Sequence, residues 1–461
     1  MTIWMPSIEH RDGPRYAAIA DAIGEAIASE EIEDGFKLPP QRDLAWKLGV
    51  TVGTISRAYR LAFDRGLVTG EVGRGTYVSA SRAASDEVVP RTDDGMINLS
   101  RNYHPASKDQ TDILDNALKS IMARPGRERM LNYMPSGGHL DHRAAGARWM
   151  SRVGLEVEPE NVILMCGVQQ ALASVFASLV GAGGHALCES LTFMGVGHAA
   201  SLFNVGLTGV EMDDDGLLPD ALDKACRDTG TKVLITVPTL QNPTTVIMSK
   251  ERRLAIVEVA RRHDLIIVED DVYGYVVDNR PPPIAALAPE RTVYLTGASK
   301  CIAPGLRVGW AAAPAHLAER IRQSMFGLAV AQPALTAEIA KTWIDDGTAD
   351  TMRRWHQAGA KARYEIATEI FEDLEYAGHP ACFHLFLTLP TPWRSQDFAA
   401  AAHTRGYMIL PADDFVVGRT AAPHAVRISL CGPETQADLR SALIGIRELA
   451  LTTPTPRSSM I

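Results

Sequence analysis

The chain is organised around residues 294–310, Tyr294-Leu295-Thr296-Gly297-Ala298-Ser299-Lys300-Cys301-Ile302-Ala303-Pro304-Gly305-Leu306-Arg307-Val308-Gly309-Trp310. Lys300 stands between a strand-like run, Thr292 to Leu295, and a turn rich in glycine and proline. Its amine should lie at the mouth of a sheet, where desolvation favours the neutral form and allows it to attack an aldehyde. Arg307 offers a planar fork suited to a phosphate. Taken alone, the pattern also fits an ordinary surface lysine after a strand.

Two further apolar runs end in polar residues. Residues 265–273 (Leu-Ile-Ile-Val-Glu-Asp-Asp-Val-Tyr) predict a buried parallel strand with carboxylates at its carboxyl end. Residues 233–238 predict another strand, which leads to Gln241-Asn242-Pro243-Thr244. Asn-Pro, Asp-x-x-Tyr, Lys and Arg follow in an order and spacing that resemble the pyridoxal-phosphate (PLP) enzymes of the aspartate aminotransferase type.

This resemblance implies a role for each polar residue. Asp270 would pair with the pyridinium nitrogen and keep the ring protonated, so that the ring can act as an electron sink. Asn242 and Tyr273 would donate hydrogen bonds to the phenolic oxygen of the ring. Lys300 would form the Schiff base with PLP, and Arg307 would hold the phosphate.

The chain departs from the family pattern at two positions. Gly297 stands where the family often has a hydroxyl three residues before the lysine, and either Thr296 or Ser299 could supply that hydroxyl instead. Thr245 stands where the family usually has glycine after Asn-Pro-Thr.

Four other places match the family. Residues 166–172 predict a strand-to-helix turn whose free N–H groups can hold a phosphate, although many such turns hold nothing. By resemblance, its Gly167, Val168 and Gln169 belong to the phosphate cup, Phe193 stacks on the ring, Tyr133 reaches the phosphate of a dimer partner, and Arg427 grips a substrate or effector carboxylate. Without the resemblance, Phe193 would be a core aromatic and Arg427 a surface ion-pair residue.

Length and composition set broad limits. A chain of 461 residues allows two to four domains. No apolar run reaches 18 residues and no signal pattern begins the chain, so we expect a cytoplasmic protein without a membrane segment. Six scattered cysteines without a C-x-x-C pair favour reduced thiols over disulfides or zinc. A net charge of -9 restricts any DNA binding to a local surface.

The first 80 residues predict such a surface. A helix with Ile19, Ile23 and Ile27 on one face precedes a short helix over 41–48, which Gly49 ends. The next helix is predicted over Val52 to Arg65. Its buried face would comprise Ile55, Ala58, Tyr59 and Ala62, and its opposite, exposed face would comprise Gly53, Arg57 and Arg60. This is a helix-turn-helix arrangement, unless it is a plain three-helix bundle whose arginines are merely solvated.

Two observations favour DNA over the plain bundle. Residues 67–78 predict a β-hairpin with a glycine-rich tip, and residues 41–78 carry six basic against three acidic residues. The segment resembles the winged helix-turn-helix of GntR regulators, through Leu-Pro-x-x-Arg-x-Leu-Ala at 38–45 and Gly-x-Gly-Thr-x-Val at 73–78. The resemblance implies that DNA is contacted by residues of these two helices and of the hairpin, which forms the wing. These residues are Arg42, Gly53, Thr54, Arg57, Arg60, Arg74 and Gly75.

Beyond a linker at 81–97, short apolar runs alternate with helical ones, which predicts βαβ units and a mostly parallel sheet. Past residue 330 the pattern changes to helices followed by strands. We therefore expect a multidomain chain: a winged helix-turn-helix over 1–80 and an α/β fold type I PLP-dependent transferase over 98–461. The latter would comprise a large domain, mainly 98–330, and a small α+β domain, mainly 331–461.

A GntR-type reader joined to an aminotransferase-like domain resembles the MocR family of bacterial regulators. That family implies PLP as cofactor, a head-to-tail homodimer, and DNA binding modulated by PLP or by an amino compound. The leading hypothesis is a PLP-dependent transcriptional regulator. An active aminotransferase with a DNA-binding appendage is the alternative, because the predicted catalytic residues Lys300, Asp270 and Tyr273 are all present. A sensor of PLP alone is a third possibility.

Overall fold

The computed structural model describes residues 4–6, 14–29, 31–32, 36–64, 68–71, 75–78, 95–418 and 421–452. The chain forms two compact units, Met1–Arg91 and Thr92–Ile461. None of the helices in these ranges combines the length and the apolar character of a membrane span.

The first unit is a helical bundle with a β-hairpin. Its elements are α1 Arg15–Ala28, α2 Gln41–Leu48, α3 Val52–Asp64, β1 Val68–Glu71 and β2 Gly75–Val78, with β1 and β2 antiparallel. Gly49 ends α2 in the left-handed region (φ 60°), which a residue without Cβ adopts at little cost. The predicted apolar face of α3 is confirmed: Ile55, Ala58, Tyr59 and Ala62 are buried.

The second unit is larger and alternates strands with helices. In chain order its first elements are β3 Ile97–Asn98, α4 Lys108–Ala123, α5 Leu140–Ser151, β4 Val162–Met165, α6 Val168–Val175, β5 His185–Glu189, α7 Met194–Ser201, β6 Gly206–Val210, β7 Met212–Asp213, β8 Gly216–Leu217, α8 Pro219–Thr229, β9 Val233–Thr236, α9 Lys250–His263, β10 Ile266–Asp270, α10 Ile284–Leu287, β11 Thr292–Gly297 and β12 Gly309–Ala312. Its later elements are α11 Ala315–Leu328, α12 Ala334–Asp345, α13 Thr348–Ile370, β13 Tyr376–Gly378, β14 His384–Thr388, α14 Ser395–Thr404, β15 Tyr407–Met408, β16 Leu410–Pro411, β17 Ala425–Ser429 and α15 Gln436–Ala450.

Seven strands form the main sheet, in the order β4-β12-β11-β10-β9-β5-β6. Its neighbouring pairs are parallel except those of β12, which runs antiparallel to both β11 and β4. The buried apolar strands explain why helices cover both faces, as two separate hydrophobic clusters show. The predicted fold class is confirmed. Strands β4, β9, β10 and β11 all end at the same edge, where ligands of such sheets bind.

A second sheet of four strands, β13-β14-β17-β16, is antiparallel and packs against a separate hydrophobic cluster. The short strand β3 pairs with β15. The main chain of Leu99 continues this pairing, because its N–H donates to Met408 O at 2.8 Å, and it also reaches β17, because its carbonyl accepts from Ser429 N at 2.7 Å. Residues 97–99 are therefore part of the C-terminal half of the unit, although they stand at its beginning in sequence.

Helix α5 packs closely on strand β12. Gly146 lies against the indole of Trp310, and a Cβ there would meet Trp310 Nε1 at 2.7 Å and Cγ at 2.8 Å. Trp310 is buried and donates from Nε1 to the main-chain oxygen of His142 at 3.2 Å. The absence of a side chain at Gly146 is what allows this spacing.

Candidate cofactor site and nucleic-acid interface

Lys300 follows β11 and points into the carboxyl edge of the main sheet. Its Nζ donates a hydrogen bond to the main-chain oxygen of Asn102 at 2.7 Å. The same nitrogen lies 5.6 Å from the centre of the Tyr273 ring. Lys300 is half-buried, so its amine is accessible to a small molecule without being surrounded by water.

Asp270, the last residue of β10, is a buried carboxyl whose Oδ1 has no hydrogen-bond partner in the structure. Burial raises its pKa to about 7, with a further contribution from the charge of Asp271, while Lys300 acts in the opposite direction. A buried carboxylate is stable only when a cation or hydrogen-bond donor meets it.

Two other buried carboxylates at this edge, Glu269 and Glu189, have partners on both oxygens, whereas Asp271 accepts from Tyr294 on Oδ2 and has no partner on Oδ1. Glu269 accepts from Ile284 N at 3.0 Å and Ala285 N at 2.8 Å. Glu189 accepts from Thr236 Oγ1 at 2.6 Å and from the main chain that follows it. The unpartnered oxygen of Asp270 therefore fits a ligand that brings an N–H, which is what the protonated pyridine ring of PLP carries.

The other end of the site suits a phosphate. Gly167 precedes α6 with φ 80°, and a Cβ there would stand 2.7 Å from Arg307 Nη2, so the guanidinium lies directly against the turn. Arg307 Nη2 also lies 3.4 Å from the main-chain oxygen of Cys166. Helix α6 begins at Val168, and the N–H groups of a helix N-terminus bind phosphate. The exposed Arg307 beside it adds a planar pair of donors for the same group.

The ring-stacking residue lies next to this turn. Gln169 Nε2 donates to the main-chain oxygen of Gly195 at 2.9 Å, which joins α6 to α7. Phe193, half-buried, immediately precedes α7, and its ring leaves no room for a Cβ on Gly195. The Phe193 ring thus packs against Gly195 of α7, and its stacking on a cofactor ring stays a prediction.

Arg427, in the middle of β17, is almost fully buried. Its Nη1 donates to Asn242 Oδ1 at 3.1 Å and its Nη2 to the main-chain oxygen of Ser100 at 2.5 Å. The sequence analysis assigned Asn242 to the cofactor and Arg427 to the effector, as two separate contacts. In the structure the two side chains contact each other directly. A change at one will therefore disturb the other.

The remaining predicted positions are also placed. Thr296 is fully buried and its hydroxyl lies 3.5 Å from the main-chain oxygen of Asp271, so Ser299, half-buried beside Lys300, is the better placed hydroxyl. Thr245 has φ 64°, a conformation that explains why glycine is usual there. Tyr133 is 85 % exposed, and its predicted contact with a partner stays a prediction.

Sequence reasoning missed two residues of the site. Asn102 contacts both Lys300 and Tyr273, and the buried His384 of β14 contacts Asn102. No local signal marks either residue. Asn102 stands 171 positions from Tyr273 in the chain, and only the pairing of residues 97–99 with the C-terminal strands brings them together.

Five of the predicted DNA-binding residues lie on the helices α2 and α3. Arg42, Gly53, Arg57 and Arg60 are exposed, and Thr54 is half-buried at the start of α3. Thr51 caps that helix, because its Oγ1 accepts from Thr54 N at 3.2 Å. Gly75 begins β2, whereas Arg74 lies outside the described residues.

Comparison with known proteins finds a separate family match for each of the two units. Residues 94–443 match the family "Aminotransferase class I and II", and residues 15–78 match "Bacterial regulatory proteins, gntR family". The chain is 28 % identical to the uncharacterized HTH-type transcriptional regulator YdeF of Bacillus subtilis (strain 168), over 97 % of this chain and 96 % of the relative. It is 28 % identical to aromatic-amino-acid aminotransferase 1 of Thermococcus litoralis, over 67 % of this chain and 77 % of that protein.

Among solved structures, kynurenine aminotransferase of Pyrococcus horikoshii superposes with a TM-score of 0.72 at 22 % identity, covering 78 % of this chain and 92 % of that one. This likeness concerns the fold. Members of the aminotransferase class I and II family use PLP, and the unpartnered Oδ1 of Asp270, the amine of Lys300 and the turn at Gly167 fit that cofactor. The chain belongs to the aminotransferase class I and II family and carries a GntR-type helix-turn-helix at its N-terminus, the architecture of MocR-type regulators.

Proposed function

We propose that this chain is a DNA-binding transcriptional regulator whose aminotransferase-like unit binds PLP and senses PLP or an amino compound. The observation that carries the proposal is the presence, on one chain, of a sheet edge with a half-buried lysine and an unpartnered oxygen of a buried carboxyl, and of a helix-turn-helix with exposed arginines. The YdeF relative, named a transcriptional regulator, supports it because the likeness spans nearly all of both chains.

In this site each side chain has a distinct task. Lys300 would supply the amine, Asp270 would pair with the ring nitrogen, and Arg307 with the Gly167 turn would hold the phosphate. When bound, PLP supplies an electrophilic carbonyl carbon and an electron sink for amines. Arg427 supplies a planar donor pair for the carboxylate of an amino compound.

We further propose the boundaries and the assembly. The DNA-binding domain would comprise 1–80, the linker 81–97 and the PLP-binding domain 98–461, and the chain would act in the cytoplasm, where bacterial DNA is. A head-to-tail homodimer would cover Leu131 and Tyr133, which are 90 % and 85 % exposed. Such strong exposure of two neighbouring large side chains supports a protein interface.

An active aminotransferase is the second candidate. It is supported by three residues that catalysis would need, because Lys300 lies 5.6 Å from the Tyr273 ring and Asp270 is buried at the end of β10. The two candidates differ in what an amino compound does: a regulator changes its DNA affinity, whereas an enzyme turns the compound over with a keto acid.

The test is a titration of candidate amino acids against the full-length protein on a labelled fragment of its own promoter. A regulator should change its DNA affinity by about 5-fold to 150-fold, which corresponds to a coupling of about 1 to 3 kcal/mol. Arg427→Lys keeps the charge but loses the planar fork, so the response should weaken strongly.

The matched control is Arg440→Lys, because Arg440 makes a surface pair with Glu369 at 2.7 Å in the same half of the unit. This variant should respond like the wild type. Sustained transamination with an unchanged DNA affinity would contradict the regulator and support the enzyme.

A further inference from the structure

We propose that Asn102 is a positioning residue of the cofactor site, whose side-chain amide makes Tyr273 a hydrogen-bond donor toward the cofactor. The inference rests on the proposed function in one respect, namely that PLP binds at Lys300. It concerns a residue to which neither the sequence motifs nor the family likeness gives a role.

Asn102 meets the site with two different groups. Its main-chain oxygen accepts from Lys300 Nζ at 2.7 Å, and its side-chain Nδ2 lies 2.6 Å from Tyr273 Oη and 3.0 Å from His384 Nδ1. The residue is 8 % exposed, so these contacts form away from water. One residue thus fixes both the amine and the phenol that are predicted to contact the cofactor.

The direction of the bond to Tyr273 follows from the state of His384. The ring of His384 is fully buried, and burial holds its pKa well below the usual range, helped by the charges of Arg427 and Lys300. The ring is therefore neutral and carries one N–H. Main-chain hydrogen bonds at Pro243 and Gln241 act to raise the pKa, which identifies them as acceptors of that N–H.

Nδ1 lies beside Asn102, whereas Cys382 Sγ lies near both ring nitrogens, at 3.4 Å from Nδ1 and 3.9 Å from Nε2. With the main-chain acceptors taking the ring proton, that proton belongs on Nε2 and Nδ1 is an acceptor. The group of Asn102 that faces His384 must then be the NH2. An amide NH2 has two hydrogens, and Nδ2 lies 2.6 Å from Tyr273 Oη, so the second hydrogen can be donated to that oxygen. Tyr273 accepts this hydrogen bond, so its own hydroxyl proton is directed away from Asn102.

This arrangement has a chemical purpose at a PLP site. A phenol that already accepts a hydrogen bond donates its own proton more strongly, because hydrogen bonds in a chain polarise one another. Tyr273 is thereby set to donate to the phenolic oxygen of the cofactor and to stabilise negative charge there. The opposite amide orientation would make Tyr273 donate to Asn102 and remove that proton from the cofactor.

The two orientations predict opposite shifts in a spectroscopic titration. The full-length protein is loaded with PLP, and the visible absorbance of the cofactor on Lys300 is followed against pH. In Asn102→Ala, we expect the pH midpoint to rise by several tenths of a unit up to about one unit, the worth of one weakened hydrogen bond. The rise is expected because a phenolic oxygen with less hydrogen-bond stabilisation is more basic. The proton that it shares with the Lys300 nitrogen is therefore lost only at a higher pH. A fall of the midpoint, or no change, would overturn the proposal.

Two controls separate this effect from others. In a Tyr273→Phe background, Asn102→Ala should cause no further shift, because the two side chains act as one unit; an equal shift in both backgrounds would refute the role of Asn102 through Tyr273. Asn102→Leu, which is similar in size, lacks the amide donor and adds no charge, should shift the midpoint upward as well. It serves if the alanine variant does not fold.

The controls also separate this proposal from the proposed function. If the wild-type protein shows no visible absorbance with PLP, the cofactor assignment fails. If it does, and Asn102→Ala titrates like the wild type, only the role of Asn102 fails.

Discussion

Replacing Asp270 with asparagine should stabilise the cofactor-stripped protein in a pH-dependent way. The carboxyl titrates at about 7 in the folded chain instead of the ordinary value of 3.8, so between these values the folded state binds a proton that the unfolded state has lost. Stability therefore falls as pH rises through this window and is lowest above pH 7. Asparagine has no charge to bury, so its stability should not fall for this reason.

The magnitude follows from the width of the window. Each pKa unit corresponds to about 1.4 kcal/mol, so the advantage of Asp270→Asn over the wild type should grow by roughly 3 kcal/mol between about pH 5 and about pH 8. The assay is urea unfolding of the full-length chain, followed by the fluorescence of the buried Trp149 and Trp310 in the same unit. Asp373→Asn is the control, because Arg447 lowers the pKa of that surface carboxyl and no such growth is expected.

The same variant should bind PLP less tightly. A hydrogen bond between charged groups contributes about 1.5 to 3 kcal/mol, so losing the Asp270 charge should weaken PLP binding roughly tenfold to a hundredfold. Stability curves of wild type and variant that run parallel with pH would refute the reasoning, because Asp270 would then not carry the raised pKa.

Three shorter predictions test other parts of the molecule. Lys300→Ala should abolish the visible absorbance of bound PLP, and a persisting band would assign the amine elsewhere. Arg57→Ala should weaken DNA binding by about 1 to 3 kcal/mol if the residue meets a base edge, or lower the salt slope by about one if it meets phosphate; unchanged affinity at low salt in a gel-shift titration would show that α3 is not the reading helix. Gly146→Ala should destabilise the chain by about 1 to 3 kcal/mol through overpacking against Trp310. In thermal unfolding, the helical control Gly197→Ala, with open space around it, should not destabilise, and equal losses would contradict the packing argument.

Local sequence patterns predicted helices and strands well where the spacing of apolar residues agrees with the residues that start or end an element. Helix α2 has the predicted bounds 41–48, because proline precedes it and a left-handed glycine ends it. The carboxyl ends of β10 and β11 deliver Asp270 and Lys300 to one edge, as apolar runs followed by polar residues indicate. The antiparallel direction of β12 was not predicted, because a buried apolar run does not encode direction.

The candidate site was only partly predictable for a similar reason. Motif residues such as Lys300 and Arg307 are close in sequence, so spacing reveals them. Asn102 and His384 reach the site through the pairing of β3 with β15 and of β14 with β17, and no local pattern specifies that pairing. The contact of Arg427 with Asn242 spans 185 positions and was missed for the same cause.

The burial of the cysteines allows one of them to be labelled selectively in the native sequence. Burial raises the pKa of Cys226 to about 11 and that of Cys382 to about 12, and it also raises the pKa of Cys188, Cys301 and Cys431. Thiol reagents attack the thiolate, so these five should react slowly. Cys166 alone among the six is half-buried, and its main-chain oxygen faces Arg307. A fluorophore on the native sequence would therefore sit at the phosphate end of the cofactor site, without any engineered cysteine.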